Sequence, residues 1–164
     1  MLHYYFRKKE QLFQKIFKEK VQAFTQIFGV IFEQNADFTE TLRLMIETQF
    51  KFVAKNPQLP LFVIREVLSN KENREWAIKT LAPQILPFLS NIEKMLTAEI
   101  SKGTVRPIAI HNLLMNILSM NISTFIALPV LKENVLFNSD EMLENFLNER
   151  CESNVQFILN ALRP

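Results

Sequence analysis

The sequence predicts an all-α protein of six or seven helices, and three observations support this fold class. Glycine occurs only 2 times in 164 residues, whereas β-hairpins and phosphate-binding loops need glycine at positions of positive φ. No stretch alternates apolar and polar residues with the period of two that is typical of a strand. Apolar residues recur instead at spacings of three and four along most of the chain, as they do on one face of a helix.

The first two helices are predicted over residues 8–32 and 38–55. An apolar residue at every third or fourth position forms a stripe along the first helix. Asp37, with Glu40 three residues later, has the spacing of a capping box and predicts the start of the second helix. The Asn-Pro pair after residue 55 predicts its end, because a residue that precedes proline disfavours the α conformation.

Prolines divide the middle of the chain into three predicted helices. Pro60 is expected in the first turn of the third helix, where a missing N–H costs nothing. A short polar helix is predicted over residues 72–81, and Pro83 is expected to open a new helix, since an interior proline removes a hydrogen bond and clashes with the preceding turn. Gly103 is expected to end that helix, since glycine is common just after the last turn of a helix.

The last two helices are predicted over residues 107–128 and from residue 140 to near the C-terminus. The first carries no charged residue and is long enough to cross a bilayer. Its many polar side chains would be costly in lipid, so we interpret it as a buried helix in a large soluble interface, with no membrane partner. Ser139 is expected to cap the last helix.

Composition argues against several functional classes. A formal net charge of +2 is too balanced for bulk electrostatic binding to nucleic acid. The single cysteine, Cys151, excludes an internal disulfide, which fits a reducing, cytoplasmic compartment. With 2 histidines and no His-x-x-x-His spacing, a metal site is not expected. Without a Gly-x-Ser-x-Gly elbow, and with no histidine near Cys151, we expect neither enzymatic activity nor a cofactor.

An aromatic and basic segment opens the chain, and residues 2–12 read LHYYFRKKEQL. This segment resembles the junction between the recognition helix and the fourth helix of the TetR/AcrR family of transcriptional regulators. The family pattern is an aliphatic residue, an aromatic or His, any residue, Tyr or His, Phe, two variable residues, Lys, an acidic residue, any residue and Leu. Every constrained position is filled. The turn SKGTVRP at residues 101–107 resembles the turn before the family's eighth helix.

The resemblance implies that residues 1–7 are a remnant of the recognition helix and that residues 8–164 form a ligand-binding and dimerisation domain. Most of the helix-turn-helix head would then precede this chain, which is expected to be a fragment. His3 and Lys9 match positions that contact the DNA backbone, and Lys9 would be helped by free N–H groups at a helix start. The matching positions for packing against the head are Tyr5 and Phe6.

A regulator of this kind senses a small molecule among its middle helices. The abundance of phenylalanine, at 15 residues, favours a hydrophobic or aromatic effector, because such side chains line apolar pockets well. The candidate lining residues, with one polar anchor, are Phe24, Phe28, Phe50, Phe62, Glu66, Trp76, Phe88 and Met115. An ordinary core position is the alternative for each of them.

The resemblance also implies a homodimer formed by the last two helices, and a two-fold axis is the default symmetry. Small polar residues at spacings of four, three and four share one stripe of the uncharged helix, where they would let a second copy approach closely. The predicted interface residues are Asn112, Asn116, Ser119, Ser123, Phe146, Val155, Ile158 and Leu162. A solvated polar stripe is the alternative for the four residues on the uncharged helix.

The sequence therefore predicts a ligand-responsive transcriptional regulator, expected to be a repressor, that reaches operator DNA through its head. The alternative is a helical module that binds a hydrophobic ligand and has no DNA-binding function. A helical enzyme would need a polar cluster or a cofactor site that the sequence does not display.

Overall fold

The computed structural model describes residues 2–34, 36–133, 137 and 139–164, with side chains from residue 10 onward. Within these ranges there are six α-helices and no strand, which confirms the all-α fold class. The helices are α1 (Leu2–Glu33), α2 (Phe38–Ala54), α3 (Leu59–Ser69), α4 (Lys71–Lys102), α5 (Ile110–Glu133) and α6 (Asp140–Ala161).

Two predicted helix starts are confirmed by their capping bonds. The Asp37 carboxylate accepts a hydrogen bond from the Glu40 backbone N–H at 2.8 Å and so caps α2. The Ser139 hydroxyl accepts from the Met142 N–H at 3.2 Å and caps α6 in the same way. Each cap satisfies one of the N–H groups that a helix leaves without a partner at its start.

The predicted break at Pro83 is wrong, because α4 runs without interruption through Pro83 and Pro87. Both prolines are exposed, so their rings lie on the outer side of the helix. The opposite side is buried, with Ala77 before the prolines and Ile92 after them, and α4 packs along α1. Burial on both sides of the prolines offsets the lost hydrogen bonds and keeps the two halves in line.

The predicted bounds of the uncharged helix also need correction, since α5 begins at Ile110 and continues past Pro129. Residues 105 and 106, which precede α5, are attached to other parts of the protein. The Arg106 N–H donates to the Leu162 carbonyl at 2.9 Å, and Val105 is buried in the core. This attachment to the end of α6 keeps Pro107 outside the helix. Gly103 ends α4, as predicted, and its φ of 73° places it in the left-handed region.

Helix α2 lies at the centre of the protein and packs against α1, α4, α5 and α6. Its buried face contributes Leu42 and Ile46 to a core that also contains Ile117 of α5 and Val155 of α6. A separate cluster joins α1 to α3 and α4. By length and composition α5 could cross a membrane, but core helices of soluble proteins meet the same criteria.

Candidate functional site

A cavity of about 310 Å³ lies between α1, α2, α4 and α5. Its volume falls at the lower end of the range of small-molecule sites, which is about 300–1,000 Å³. The residues that line it are Phe24, Thr25, Phe28, Met45, Gln49, Leu81, Ile85, Phe88, Leu89, Leu114, Ile117 and Leu118. None of these carries a charge, and the polar members are Thr25 and Gln49. The cavity therefore suits an uncharged, mainly apolar molecule.

Aromatic rings from α1 and α4 form one side of the cavity. Phe24 and Phe28 are one helical turn apart, with ring centroids 4.2 Å from each other. Phe88 of α4 stacks on Phe32 of α1, with centroids 5.6 Å apart and an interplanar angle of 22°. These contacts position three rings around the cavity, where they can pack against a flat ligand.

Gln49 is the polar residue of the cavity that connects it to the protein interior. Its Oε1 accepts a hydrogen bond from Asn121 Nδ2 at 3.0 Å. The same nitrogen donates to the Ile46 carbonyl at 3.0 Å, and Asn121 Oδ1 accepts from Asn154 Nδ2 at 2.9 Å. Asn121 and Asn154 are fully buried. Three amides thus form a chain from the cavity on α2 through α5 to α6.

The structure brings three of the predicted pocket residues to the cavity: Phe24, Phe28 and Phe88. Met115 does not line it, because its side chain lies on the outer face of α5 and is 58% exposed. Phe50 packs against Phe125 at a centroid distance of 5.0 Å, in the core shared by α2, α5 and α6.

The other three predicted pocket residues lie around α3, away from the cavity. Phe62 and Trp76 pack on Phe13, with centroid distances of 5.6 Å and 6.2 Å. Glu66 is buried, and its Oε2 accepts from Asn73 Nδ2 at 3.4 Å. These residues join α3 to its neighbours, and none of them lines the cavity.

The predicted pocket residues include none of the leucine, isoleucine and methionine residues that line the cavity, and neither Thr25 nor Gln49. Gln49 did carry a signal. Gln49 is a polar residue on the mainly apolar buried face of α2, between Met45 and Val53. A buried polar side chain needs hydrogen-bond partners, so its position marks an unusual place in the core. The aliphatic lining carries no comparable signal, because leucine and isoleucine at helical spacing are also ordinary core residues.

A second cavity, of about 350 Å³, lies between α1 and the turn that joins α2 to α3. Its single charged lining residue is Lys20, whose ammonium donates to Asn56 Oδ1 at 2.6 Å. Phe62 also lines it. The Lys20 bond ties α1 to the turn that follows α2, which gives the charged residue of this cavity a structural role.

The predicted interface residues divide into an exposed set and a buried set. Asn112, Asn116, Ser119 and Ser123 are all exposed on one side of α5, and Phe146 is half-buried on α6 beside Phe137. The buried set is Val155, Ile158 and Leu162, at 0%, 3% and 4% exposure. These three side chains already belong to the core of the single chain, so they leave no surface for a second copy.

Residues 2–9 form the first turns of α1, so the first helix begins at Leu2 and not at residue 8 as predicted. No break in the helix separates residues 2–7 from the rest of α1. The side chains of residues 2–9 lie outside the described part of the structure. The predictions for His3, Tyr5, Phe6 and Lys9 therefore stay predictions. Among the described residues, no group of three or more His, Cys, Asp or Glu side chains could hold a metal ion. Burial raises the pKa of Cys151 to about 11, which makes its thiol a poor nucleophile at neutral pH.

Comparison with known proteins yields no relative from which a function could be transferred. No protein-family model, no curated protein and no solved structure matches this chain. The features available for a functional argument are those of the chain itself: its six helices, its apolar cavity, its buried amides and its N-terminal segment.

Proposed function

We propose that this chain is the ligand-binding and dimerisation part of a TetR-family transcriptional regulator that acts as a repressor. One observation carries the proposal. The segment that resembles the family junction, residues 2–12, and the cavity residues Phe24, Thr25 and Phe28 belong to the same uninterrupted helix, α1. A molecule in the cavity would touch the helix that leads to the DNA-binding head.

Helix α1 can act as a lever between the two places. From Phe24 to the first turn of α1 the helix extends for about 33 Å, at a rise of 1.5 Å per residue. A small rotation of α1 therefore displaces its far end by several times the distance that it moves the helix at the cavity. A ligand that fits one position of α1 better than the other shifts the population between two separations of the heads.

The proposed homodimer uses the outer face of α5 and the adjacent side of α6. The four small polar residues of α5 are accompanied by exposed apolar side chains, among them Met115 and Val130 at 58% and 60% exposure. On α6, Phe157 is 63% exposed. A helix pair that exposes this much apolar surface suits an isologous partner.

The proposed DNA contacts come from His3 and Lys9, together with a head that would precede residue 2 and read the operator in the cytoplasm. The test uses the protein encoded by the complete reading frame and its own promoter region. We expect a footprint on that DNA and its loss when a cavity-binding molecule is added. A complete reading frame without a helix-turn-helix, or a footprint that no such molecule alters, would contradict the proposal.

A second candidate function is a carrier or binding module for a hydrophobic molecule, without any role in transcription. The cavity favours it, because the lining residues lie between positions 24 and 118 and none comes from the junction segment. Native mass spectrometry separates the two functions when combined with the footprint. A co-purifying apolar molecule with no footprint supports the carrier, whereas a footprint that the molecule abolishes supports the regulator.

A further inference from the structure

From the direction of the buried amide chain, we infer that the cavity binds a neutral, compact, apolar molecule with one hydrogen-bond acceptor, which Gln49 Nε2 recognises. The inference rests on the proposed function for the role of the cavity, and it adds the chemical class of the ligand. It makes Gln49 the residue that determines specificity.

The orientation of Asn121 follows from its partner on α2. A backbone carbonyl oxygen can only accept a hydrogen bond, so the group of Asn121 that lies 3.0 Å from the Ile46 oxygen must be its nitrogen, Nδ2. The other side of the Asn121 amide is then Oδ1, which accepts from Asn154 at 2.9 Å. With both of its ends occupied, the buried Asn121 amide has no freedom to turn over.

The orientation of Gln49 follows in turn from that of Asn121. Asn121 Nδ2 lies 3.0 Å from the side-chain amide of Gln49, and because it is a donor it must face the oxygen, Oε1. Gln49 Nε2 therefore points away from Asn121. Nε2 donates to no other group in the described part of the chain, and Gln49 lines the cavity. Nε2 would therefore supply a hydrogen-bond donor over a small part of a cavity wall that is otherwise almost entirely apolar.

The rest of the lining limits what can accept this bond. In the described lining, the other polar residue is Thr25, whose hydroxyl lies 3.0 Å from the Val21 carbonyl and 3.1 Å from the Gln22 carbonyl of its own helix. Among the described side chains no lysine, arginine or histidine lines the cavity, so a carboxylate or phosphate would lose its hydration without gaining a counter-charge. A ligand must therefore accept a hydrogen bond and carry no charge. An uncharged carbonyl or ether oxygen on an aromatic or aliphatic body meets these two requirements.

Three probes of nearly equal shape test the inference. They are 2-acetylnaphthalene, with a carbonyl acceptor; 2-isopropenylnaphthalene, in which a methylene group replaces that oxygen; and 2-naphthoate, which is an anion. Calorimetric titration of the chain should give an affinity for the ketone about fivefold to tenfold above that for the alkene, the usual effect of one neutral hydrogen bond. Binding of the anion should be undetectable.

The variant Gln49→Met keeps the side-chain length and volume and removes the donor. We expect it to bind ketone and alkene equally, whereas Gln26→Met, an exposed glutamine of α1, keeps the preference of the unchanged chain. Asn121 keeps its bond to the Ile46 carbonyl in Gln49→Met, and circular dichroism checks that the variant is folded. Leu118→Trp places a large ring at the rim of the cavity, since Leu118 is 39% exposed, and should abolish binding of both neutral probes.

Several results would overturn the inference: equal affinity of the unchanged chain for ketone and alkene, a preference that survives Gln49→Met, tightest binding of the anion, or no binding of any probe. The first two leave the regulator proposal intact, because a ligand can occupy the cavity without using Gln49. The regulator proposal is tested by the footprint on promoter DNA, whereas the probe affinities are measured without DNA. The two failures are therefore distinguishable.

Discussion

At the scale of single residues, the buried amide of Asn121 stabilises the side chains that bond to it. Asn121 is fully buried and bonds to groups on α2 and α6. In water each of these groups would have solvent partners, so the net contribution of the bonds is modest. Once buried, however, an amide that loses its partner has no replacement, and the free energy of unfolding falls by the full cost of desolvation.

Replacement of Asn121 by alanine should therefore be strongly destabilising. Gln49 Oε1 and Asn154 Nδ2 would both lose their partner, and we expect Asn121→Ala to lower the free energy of unfolding by about 3 kcal/mol. The matched control is Asn91→Ala, at an exposed position of α4, which should change it by no more than about 0.5 kcal/mol. Urea unfolding measures both, and similar values for the two variants would contradict the role of the amide chain.

Cys151 should make stability depend on pH in the alkaline range. Burial raises the pKa of its thiol in the folded chain from 9.0 to about 11. Between pH 9 and pH 11 the unfolded chain has released this proton while the folded chain still holds it, so folding becomes less favourable as pH rises. The stabilisation is complete below pH 9, and about 2–3 kcal/mol is lost by pH 11.

The measurement compares the free energy of unfolding of the unchanged chain and of Cys151→Ala at several pH values from 8 to 11. Other groups that titrate in this range act on both proteins, so the difference between them reports the thiol alone. The advantage of the unchanged chain should shrink as pH rises. A difference that stays constant across the range would mean that the thiol ionises equally in the folded and the unfolded chain.

At the scale of the helix, local rules succeed at the ends and fail in the interior. The caps at Asp37 and Ser139 and the left-handed Gly103 follow from bonds within a few residues. The continuation of α4 through Pro83 and Pro87 depends instead on its packing against α1. A proline weakens a helix by an amount that burial on both flanks can exceed, which no local pattern reveals.

The two glycines of the chain should respond to alanine with opposite signs. Gly29 lies inside α1, and a Cβ there would meet nothing within 4 Å, so Gly29→Ala should raise the free energy of unfolding by about 0.5–1 kcal/mol. Gly103 also has open space, but its φ is 73°, so Gly103→Ala should lower it by about 1 kcal/mol. Thermal unfolding of both variants tests the assignment, which a gain at position 103 or a loss at position 29 would contradict.

At the scale of the whole molecule, α5 has two different sides. One side completes the core with Leu113, Ile117 and Phe125, and the other exposes small polar residues between apolar ones. An exposed apolar surface along a helix is unfavourable in water. This cost is the physical reason to propose that a second copy covers it.

Arginines on this surface should separate the proposed dimer. In Ser119→Arg/Ser123→Arg four guanidinium groups would meet across the two-fold axis without partners, at a cost that exceeds what a surface of this kind contributes. Sedimentation equilibrium should give twice the chain mass for the unchanged protein and the single-chain mass for the variant. Ser90→Arg, at an exposed position of α4, should remain dimeric. A monomeric unchanged chain at high concentration would contradict the proposal.

Sequence patterns did not predict most of the residues that line the cavity. The spacing of apolar residues predicted that Phe24, Phe50 and Phe62 face inward, and all three are at least half-buried. It could not say which of them border an empty space. A residue that lines a cavity and one that fills the core occupy the same positions on a helix, since both are apolar and both avoid water.

By itself, the sequence determined the all-α class, most of the helix ends and the inward faces, because these depend on contacts between residues a few positions apart. Only the tertiary structure decided that α4 is one helix, that Phe24, Phe28 and Phe88 share a cavity, and that three amides distant in the chain bond to one another. Those features depend on which helices become neighbours. That choice is made by the burial of whole faces, a property of the complete chain.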